Sequence, residues 1–246
     1  MKRIVFFFYQ WIIWLPLFLA STILTALVVI AGCSLGGERI FSYYPGMWWS
    51  RFACGVSLCR VQVRGREKLR DRQSYVFVAN HQGAFDIFLL YGYLNIPIKW
   101  IMKKSLRDIP LVGKACEKAG FIFVDNSSPV AAAKTIREAE QRLKDGASVA
   151  IFPEGSRSQT GELGKFKKGA YQMAVDMRLP VVPVTINGSY RVMSRHTILL
   201  TPHRMEVIIH DPIPTDGLAS DNLREVATGI RRLSEQSREA IAAELR

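Results

Sequence analysis

Residues 121–152 read FIFVDNSSPVAAAKTIREAEQRLKDGASVAIF, and this stretch decides the fold class. Two short apolar runs, Phe121–Val124 and Val149–Phe152, flank a segment with helical periodicity. Pro129 lies near the start of that segment, after several polar capping candidates, and Gly146 lies at its end, as expected for a helix. A strand–helix–strand unit of this kind predicts α/β architecture.

Four more apolar runs are typical of strands: Tyr75–Ala79, Ile98–Met102, Val181–Ile186 and Met205–Ile209. Several are apolar at every position, which indicates a sheet covered on both faces. Residues 220–246 carry apolar side chains at helical spacing among many charges, and they predict a helix on the protein surface or along a membrane. We expect a single domain with a mixed, largely parallel sheet covered by helices.

The N-terminus predicts a membrane-embedded helical anchor. From Ile4 to Gly32 the chain carries no charged residue, and about 20 apolar residues suffice to cross the hydrocarbon core of a bilayer. The division we expect is an anchor over residues 1–58 and a folded domain over residues 59–246. A cleaved lipoprotein signal is the rival interpretation, because Ile30-Ala31-Gly32-Cys33 resembles a processing box, but the apolar run is longer than such signals use.

The charges around the anchor bear on its orientation. Lys2 and Arg3 precede the apolar run and favour a cytoplasmic N-terminus. A single span would then place the folded domain on the outer side of the membrane. Pro16 and a second apolar, aromatic stretch over residues 41–58 permit a re-entrant or hairpin anchor instead, which keeps the body on the cytoplasmic side.

Composition excludes some classes of function and favours others. The formal charge of +12 favours polyanionic partners, yet no nucleic-acid-binding motif is present, so we expect no nucleic acid partner. The four cysteines are scattered without zinc-ligand spacing, and we expect no metal site. The chain also lacks the Gly-x-Ser-x-Gly sequence that would indicate a serine hydrolase.

The first chemical motif is Asn80-His81-Gln82-Gly83-Ala84-Phe85-Asp86, which directly follows an apolar strand. Active groups of α/β proteins commonly lie where strands end. A turn at Gly83 can bring the Asp86 carboxylate back against the His81 imidazole. Asp86 would then orient His81, whose other ring nitrogen is free to act as a general base.

The second motif, Phe152-Pro153-Glu154-Gly155-Ser156-Arg157-Ser158, also follows an apolar strand and should lie at the same sheet edge. Gly155 allows close backbone approach, Ser156 offers a hydroxyl, and Arg157 offers a planar fork suited to phosphate. A turn closed by an ion pair between Glu154 and Arg157 is the alternative. Two further cations, Lys167 and Lys168, precede the next helical segment.

Together these motifs resemble one family. Asn-His-x-x-x-x-Asp, then Phe-Pro-Glu-Gly-Ser-Arg-Ser, then Phe166-Lys-Lys-Gly169 and Val182-Pro-Val184, resemble the lysophosphatidic acid acyltransferases, the 1-acylglycerol-3-phosphate acyltransferases. The resemblance implies catalysis by His81 with support from Asp86. It also implies a substrate-binding set of Lys104, Glu154, Gly155, Ser156 and Arg157.

The resemblance further implies an O-acyltransferase of phospholipid biosynthesis. It would use acyl-CoA or acyl-carrier protein as co-substrate, with no cofactor, and it would act at a bacterial-type inner membrane with its catalytic domain facing the cytoplasm. The sequence departs from the family at Asn126, where an arginine that binds the acceptor phosphate is usual. Another lysolipid acceptor, such as lyso-ornithine lipid, therefore stays open, as does a non-catalytic membrane scaffold.

Overall fold

A computed structural model describes residues 2–124, 147–219 and 222–246. The helices are α1 (Lys2–Tyr9), a π-helical turn (Gln10–Trp14), α2 (Leu15–Ser34), α3 (Glu38–Phe41), α4 (Tyr44–Val56), α5 (Asp86–Tyr93), α6 (Val112–Lys118), α7 (Gly169–Asp176), α8 (Ser189–Val192) and α9 (Leu223–Glu244). Short 3₁₀ helices cover Arg66–Lys68 and Lys104–Asp108. The helix predicted between Val124 and Val149 lies outside the described residues.

The strands are β1 (Arg60–Arg64), β2 (Val76–Ala79), β3 (Ile98–Lys103), β4 (Ile122–Val124), β5 (Ser148–Ile151), β6 (Val181–Asn187) and β7 (Arg204–Ile209). They form a seven-stranded sheet in the order β1-β7-β6-β2-β5-β3-β4. The β6–β7 pair is antiparallel, and the other described pairs are parallel. The predicted α/β fold with a mixed, largely parallel sheet is confirmed.

Helices cover both faces of the sheet, which explains strands that are apolar at every position. Phe77 and Ala79 of β2 join the core cluster that includes residues of α4 and α5. Val76 and Val78 point to the opposite face, because strand side chains alternate, and they join the cluster with α7 and α9. All four residues are buried.

The strand β1 was not predicted from the sequence. Its residues alternate between exposed and half-buried, and it lies at the edge of the sheet beside β7. A strand with arginine at both ends and little burial lacks the apolar run by which the other six strands were identified.

The N-terminal helices form a layer packed on the body. The helical stretch Ile4–Ser34 is long and apolar enough to cross a membrane, and much of its apolar surface is exposed. The chain then reverses, and α4 returns against both α2 and α5. The Trp49 indole N–H donates to Thr22 Oγ1 at 3.0 Å, and the Trp14 indole N–H donates to Ser57 Oγ at 2.7 Å.

Candidate active site

His81 and Asp86 lie together at the carboxyl end of β2. His81 Nδ1 is 2.7 Å from Asp86 Oδ2, and the same oxygen accepts hydrogen bonds from the backbone N–H groups of Gln82, at 2.7 Å, and Gly83, at 2.9 Å. Asp86 is fully buried, whereas the His81 side chain is partly exposed. Because Nδ1 is occupied by Asp86, Nε2 is the ring nitrogen left for a substrate proton.

The turn between these residues requires glycine. A Cβ atom on Gly83 would lie 2.4 Å from the Ser189 carbonyl oxygen, so no larger residue fits this backbone approach. At the strand end, the Asn80 amide exchanges two hydrogen bonds with the Ile186 backbone of β6, at 2.8 and 2.7 Å. The loop that carries His81 is thereby fixed to the central strands.

The second motif lies directly against the first. Glu154 Oε1 accepts a hydrogen bond from the backbone N–H of His81 at 2.7 Å, and Oε2 accepts one from Gly164 at 2.9 Å. The backbone N–H of Ser158 donates to the His81 carbonyl oxygen at 2.7 Å. Both sides of the His81 backbone are therefore bound by the residue 154–158 segment, as the shared sheet edge predicts.

Glu154 uses its carboxylate for the backbone rather than for Arg157. Within the described residues no ion pair joins these two side chains, so the alternative of a salt-bridged turn is not what the structure contains. Burial raises the pKa of the Glu154 carboxyl above its ordinary value, while the hydrogen bonds from the His81 and Gly164 backbones act in the opposite direction.

The His81 ring has a flat aromatic neighbour. It stacks on Phe152 with ring centroids 3.9 Å apart and planes 10° apart, and Phe152 in turn stacks on Trp100 at 5.6 Å. Two constraints, the Asp86 hydrogen bond and this stack, hold the imidazole in one orientation. A base held in a fixed orientation loses less entropy when it reacts.

A cavity of about 680 Å³ opens beside His81. Its lining at this end includes the polar or cationic side chains of Ser156, Arg157, Lys167 and Arg195, together with Gly155. Gly155 has a φ of +76°, and a Cβ atom there would lie 2.6 Å from Lys167 Nζ. Glycine therefore permits both the turn and the close approach of the ammonium group.

Away from His81 the cavity is mainly apolar and extends beneath the N-terminal helices. Its far wall contains Tyr91, whose hydroxyl donates to the Ser42 carbonyl oxygen at 2.8 Å, and Ala119 at the end of α6. Ile87 and Tyr91 of α5 both line the cavity, which therefore passes along this helix. Ala26 and Val29 of α2 close it from above.

The structure brings most of the predicted site residues together. His81, Gly155, Ser156 and Arg157 line the cavity, while Asp86 and Glu154 support His81 from behind. Lys104 begins a 3₁₀ helix next to Lys103, a residue that does line the cavity. Asn126 lies outside the described residues.

Sequence reasoning missed the cavity wall and Arg195. The motif that contains Phe152 does not indicate that this ring stacks on His81, and the apolar run that contains Trp100 indicates only a strand. Arg195 follows no apolar strand, so the sequence contains no local signal for its position near the other cations. Its proximity arises only from tertiary structure.

Comparison with known proteins identifies the family to which the chain is similar. Residues 60–187 match the family model described as Acyltransferase. A 1-acyl-sn-glycerol-3-phosphate acyltransferase of Chlamydomonas reinhardtii is 28% identical over 246 residues, which cover 99% of this chain and 69% of that protein. The alpha form of this enzyme from Homo sapiens is 32% identical over 173 residues, which cover 70% of this chain and 61% of that protein.

A chloroplastic 1-acyl-sn-glycerol-3-phosphate acyltransferase of Arabidopsis thaliana is 33% identical over 178 residues, so the match spans about half of its length, 49%. The crystal structure of the 1-acyl-sn-glycerophosphate acyltransferase PlsC of Thermotoga maritima matches with a TM-score of 0.78 and 24% identity. The structural match covers 99% of this chain and 97% of the Thermotoga maritima chain, and it confirms the fold. With the family match over more than half of its residues, the chain belongs to the acyltransferase family, as its motifs predict.

Proposed function

We propose that this chain transfers a fatty acyl group from a thioester donor to the free hydroxyl of 1-acylglycerol-3-phosphate, giving phosphatidic acid. The observation that carries the proposal is the His81–Asp86 pair, at 2.7 Å, in the wall of a cavity that is cationic at this end and apolar beyond it. The relatives named above are 1-acyl-sn-glycerol-3-phosphate acyltransferases, which supports the same acceptor.

His81 is the general base of the proposed reaction. As the acceptor oxygen attacks the thioester carbonyl carbon, His81 Nε2 takes the hydroxyl proton, and Asp86 stabilises the imidazolium that forms. The tetrahedral intermediate collapses, the carbon–sulfur bond breaks, and the departing thiolate receives the proton from His81. The new ester forms without a covalent enzyme intermediate, a metal or a cofactor beyond the acyl-CoA or acyl-carrier protein co-substrate.

The apolar part of the cavity suits a fatty acyl chain. Most of the side chains that α2, β3 and α6 contribute to its walls are apolar, among them Val29, Ile101 and Ala115. A flexible hydrocarbon chain gains free energy by leaving water for such a surface. The thioester carbonyl would then lie at the His81 end, where the acceptor arrives.

The cationic end suits the acceptor phosphate. Arg157 and Lys167 line the cavity beside His81, and a phosphate monoester carries a charge of about −1.5 to −2 at neutral pH. Ser156 adds a hydroxyl to the same wall. Of the predicted binding residues, Lys104 and Glu154 lie next to this wall, so in the proposal they position the residues that contact the acceptor.

The N-terminal residues 1–58 serve as the membrane anchor in this proposal, with residues 59–246 as the catalytic domain. Exposed apolar side chains on α1, the π-helical turn and α2, among them Phe7, Phe8, Ile12 and Leu24, favour a lipid environment. Because α2 and α4 also pack on the body, a hairpin anchor is favoured over a simple span. The proposed location is a bacterial-type inner membrane, with the body facing the cytoplasm.

The substrate assignment is tested with purified full-length chain in mixed micelles. Palmitoyl-CoA and palmitoyl-acyl-carrier protein are each supplied with lysophosphatidic acid or lyso-ornithine lipid, and products are separated by mass. Phosphatidic acid formation with either donor is the expected result. If only lyso-ornithine lipid is acylated, the proposed acyl-transfer chemistry stands but the acceptor is lyso-ornithine lipid. If no pairing gives a product, the non-catalytic scaffold is favoured.

A further inference from the structure

Arg195 lines the cavity together with the cations Arg157, Lys167 and Lys103. Arg195 lies on the segment between α8 and β7, far in sequence from both motifs, yet it shares the cavity wall with Arg157 and Lys167. Its guanidinium Nη1 donates a hydrogen bond to the Arg157 carbonyl oxygen at 3.2 Å. The Arg195 side chain is therefore directed toward the 154–158 segment and not away from the site.

We propose that Arg195 binds the acceptor phosphate together with Arg157 and Lys167 and so determines the enzyme's preference for an anionic lysolipid. This inference rests on the proposed function. It adds a specificity-determining residue that the sequence motifs do not contain.

The segment that carries Arg195 is fixed on both sides. Ahead of it, the Met193 carbonyl oxygen accepts a hydrogen bond from the backbone N–H of Ala84 at 3.0 Å. Directly after it, His196 Nε2 lies 3.0 Å from the Gln159 carbonyl oxygen. Arg195 is thus held between the loop that follows His81 and the segment that follows Arg157.

The N-terminal helix completes this arrangement. Gln10, buried in the π-helical turn, donates to the Ile198 carbonyl oxygen and accepts from the Leu200 backbone N–H, both at 2.8 Å. Ile198 and Leu199 are exposed, as are Trp11, Ile12 and Ile13, which follow Gln10 on the helix. The Arg195 segment is therefore bound to the helix whose exposed apolar side chains would face the lipid that carries the acceptor.

The charges are available for a ligand. Among the residues that the structure describes, no salt bridge joins Arg195, Arg157 or Lys167 to a carboxylate. A guanidinium has five N–H donors, and Arg195 uses one of them on the Arg157 carbonyl. Grouped cations without acidic partners repel each other, and a phosphate dianion relieves that repulsion.

The test compares four variants of the full-length chain in mixed micelles: Arg195→Ala, Arg195→Gln, Arg195→Lys and, as control, Arg191→Ala. Glutamine retains an N–H that can donate to the Arg157 carbonyl but has no charge, whereas lysine retains the charge. Arg191 is an exposed arginine on α8 that does not line the cavity. Initial rates are measured with each substrate varied while the other is saturating.

We expect Arg195→Ala and Arg195→Gln to lower kcat/KM for lysophosphatidic acid by roughly 10-fold or more, mainly through KM. The KM for the acyl donor should stay unchanged, Arg195→Lys should recover part of the loss, and Arg191→Ala should match the wild type. Wild-type behaviour of Arg195→Gln would make Arg195 a brace for the loop and overturn the inference. A raised KM for acyl-CoA alone would assign Arg195 to the donor and also overturn it.

The two proposals fail in different ways. If the wild type forms phosphatidic acid and Arg195→Ala does so equally well, only the role of Arg195 is overturned. If the wild type forms no phosphatidic acid, both the proposed acceptor and the role of Arg195 fall.

Discussion

The Glu154 carboxylate accepts a hydrogen bond from the backbone N–H of His81 at 2.7 Å. The second motif thus fixes the position of His81, in the first motif, across 73 residues of sequence. The motif alone predicts that Glu154 binds substrate. In the structure, however, both carboxylate oxygens of Glu154 accept hydrogen bonds from backbone N–H groups, those of His81 and Gly164. We infer that Glu154 positions His81, and this gives the first prediction.

Glu154→Gln should lower kcat more than it raises KM for the acceptor. A glutamine side chain has one acceptor oxygen, so it must leave either His81 or Gly164 without a partner, at a cost of about 1–3 kcal/mol. We expect a loss of roughly 10-fold in kcat, measured by steady-state kinetics, with Glu162→Gln as an exposed control. A raised acceptor KM at unchanged kcat would contradict this and restore Glu154 as a substrate-binding residue.

Asp86→Asn should nearly abolish turnover while leaving the fold intact. The amide keeps the shape of the carboxylate but removes the charge that stabilises the His81 imidazolium, and general acid–base catalysis contributes roughly 10²- to 10⁴-fold. We expect kcat to fall by about 10²-fold or more. Asp108→Asn, at an exposed site of the second 3₁₀ helix, is the control, and undiminished kcat in Asp86→Asn would refute the assigned role.

Ala119→Leu should change the acyl-chain preference. Ala119 is buried in the far wall of the cavity, and a larger side chain there shortens the space available to the end of a chain. We expect the rate with a palmitoyl donor to fall relative to the rate with a lauroyl donor. Ala243→Leu adds the same volume on an exposed face of α9 and should leave the ratio unchanged. An equal loss with both donors would show that the chain does not reach Ala119.

The stability of the fold should depend on His210 below about pH 6.5. Its Nε2 lies 2.8 Å from Thr185 Oγ1, and burial, with nearby Lys68, lowers the pKa of His210 from its ordinary value of 6.5. The unfolded chain then takes up a proton at a higher pH than the native chain does. Native stability is therefore lost as pH falls from about 6.5 through the lowered pKa, and is unaffected above that window.

Thermal unfolding in detergent, compared at about pH 7.5 and about pH 5, checks this prediction. The wild type should lose more of its Tm on acidification than His210→Gln, which cannot gain a charge in this range. An identical loss in both proteins would show that other groups control the acid sensitivity.

The sequence predicted the fold where burial leaves a strong pattern. Of the seven strands in the described residues, six are mainly apolar runs that the sequence reveals, whereas the edge position of β1 leaves Arg60 and Arg64 exposed and hides it. The α/β class and the mostly parallel sheet followed from the same runs. The sequence permits the reversal from α2 to α4 only as an alternative to a single span, because composition does not determine how two apolar segments pack.

The candidate site was predictable to the extent that its residues follow strand ends. His81 and Arg157 come after β2 and β5, neighbours in the sheet, so their proximity followed from topology. Arg195 could not be found in this way. The segment that carries it is held by long-range contacts, such as that of Gln10 with Ile198, 188 residues away in sequence, and no local pattern encodes a contact of that range.

The most direct measurement of the central claim is phosphatidic acid formation by full-length wild type and His81→Ala, supplied with lysophosphatidic acid and the acyl donor that the wild type prefers. His203→Ala, which removes a histidine that does not line the cavity, is the control, and equal Tm values verify folding. The account predicts product from wild type and control and loss of at least about 10²-fold in His81→Ala. Phosphatidic acid formed at the wild-type rate by folded His81→Ala would contradict it.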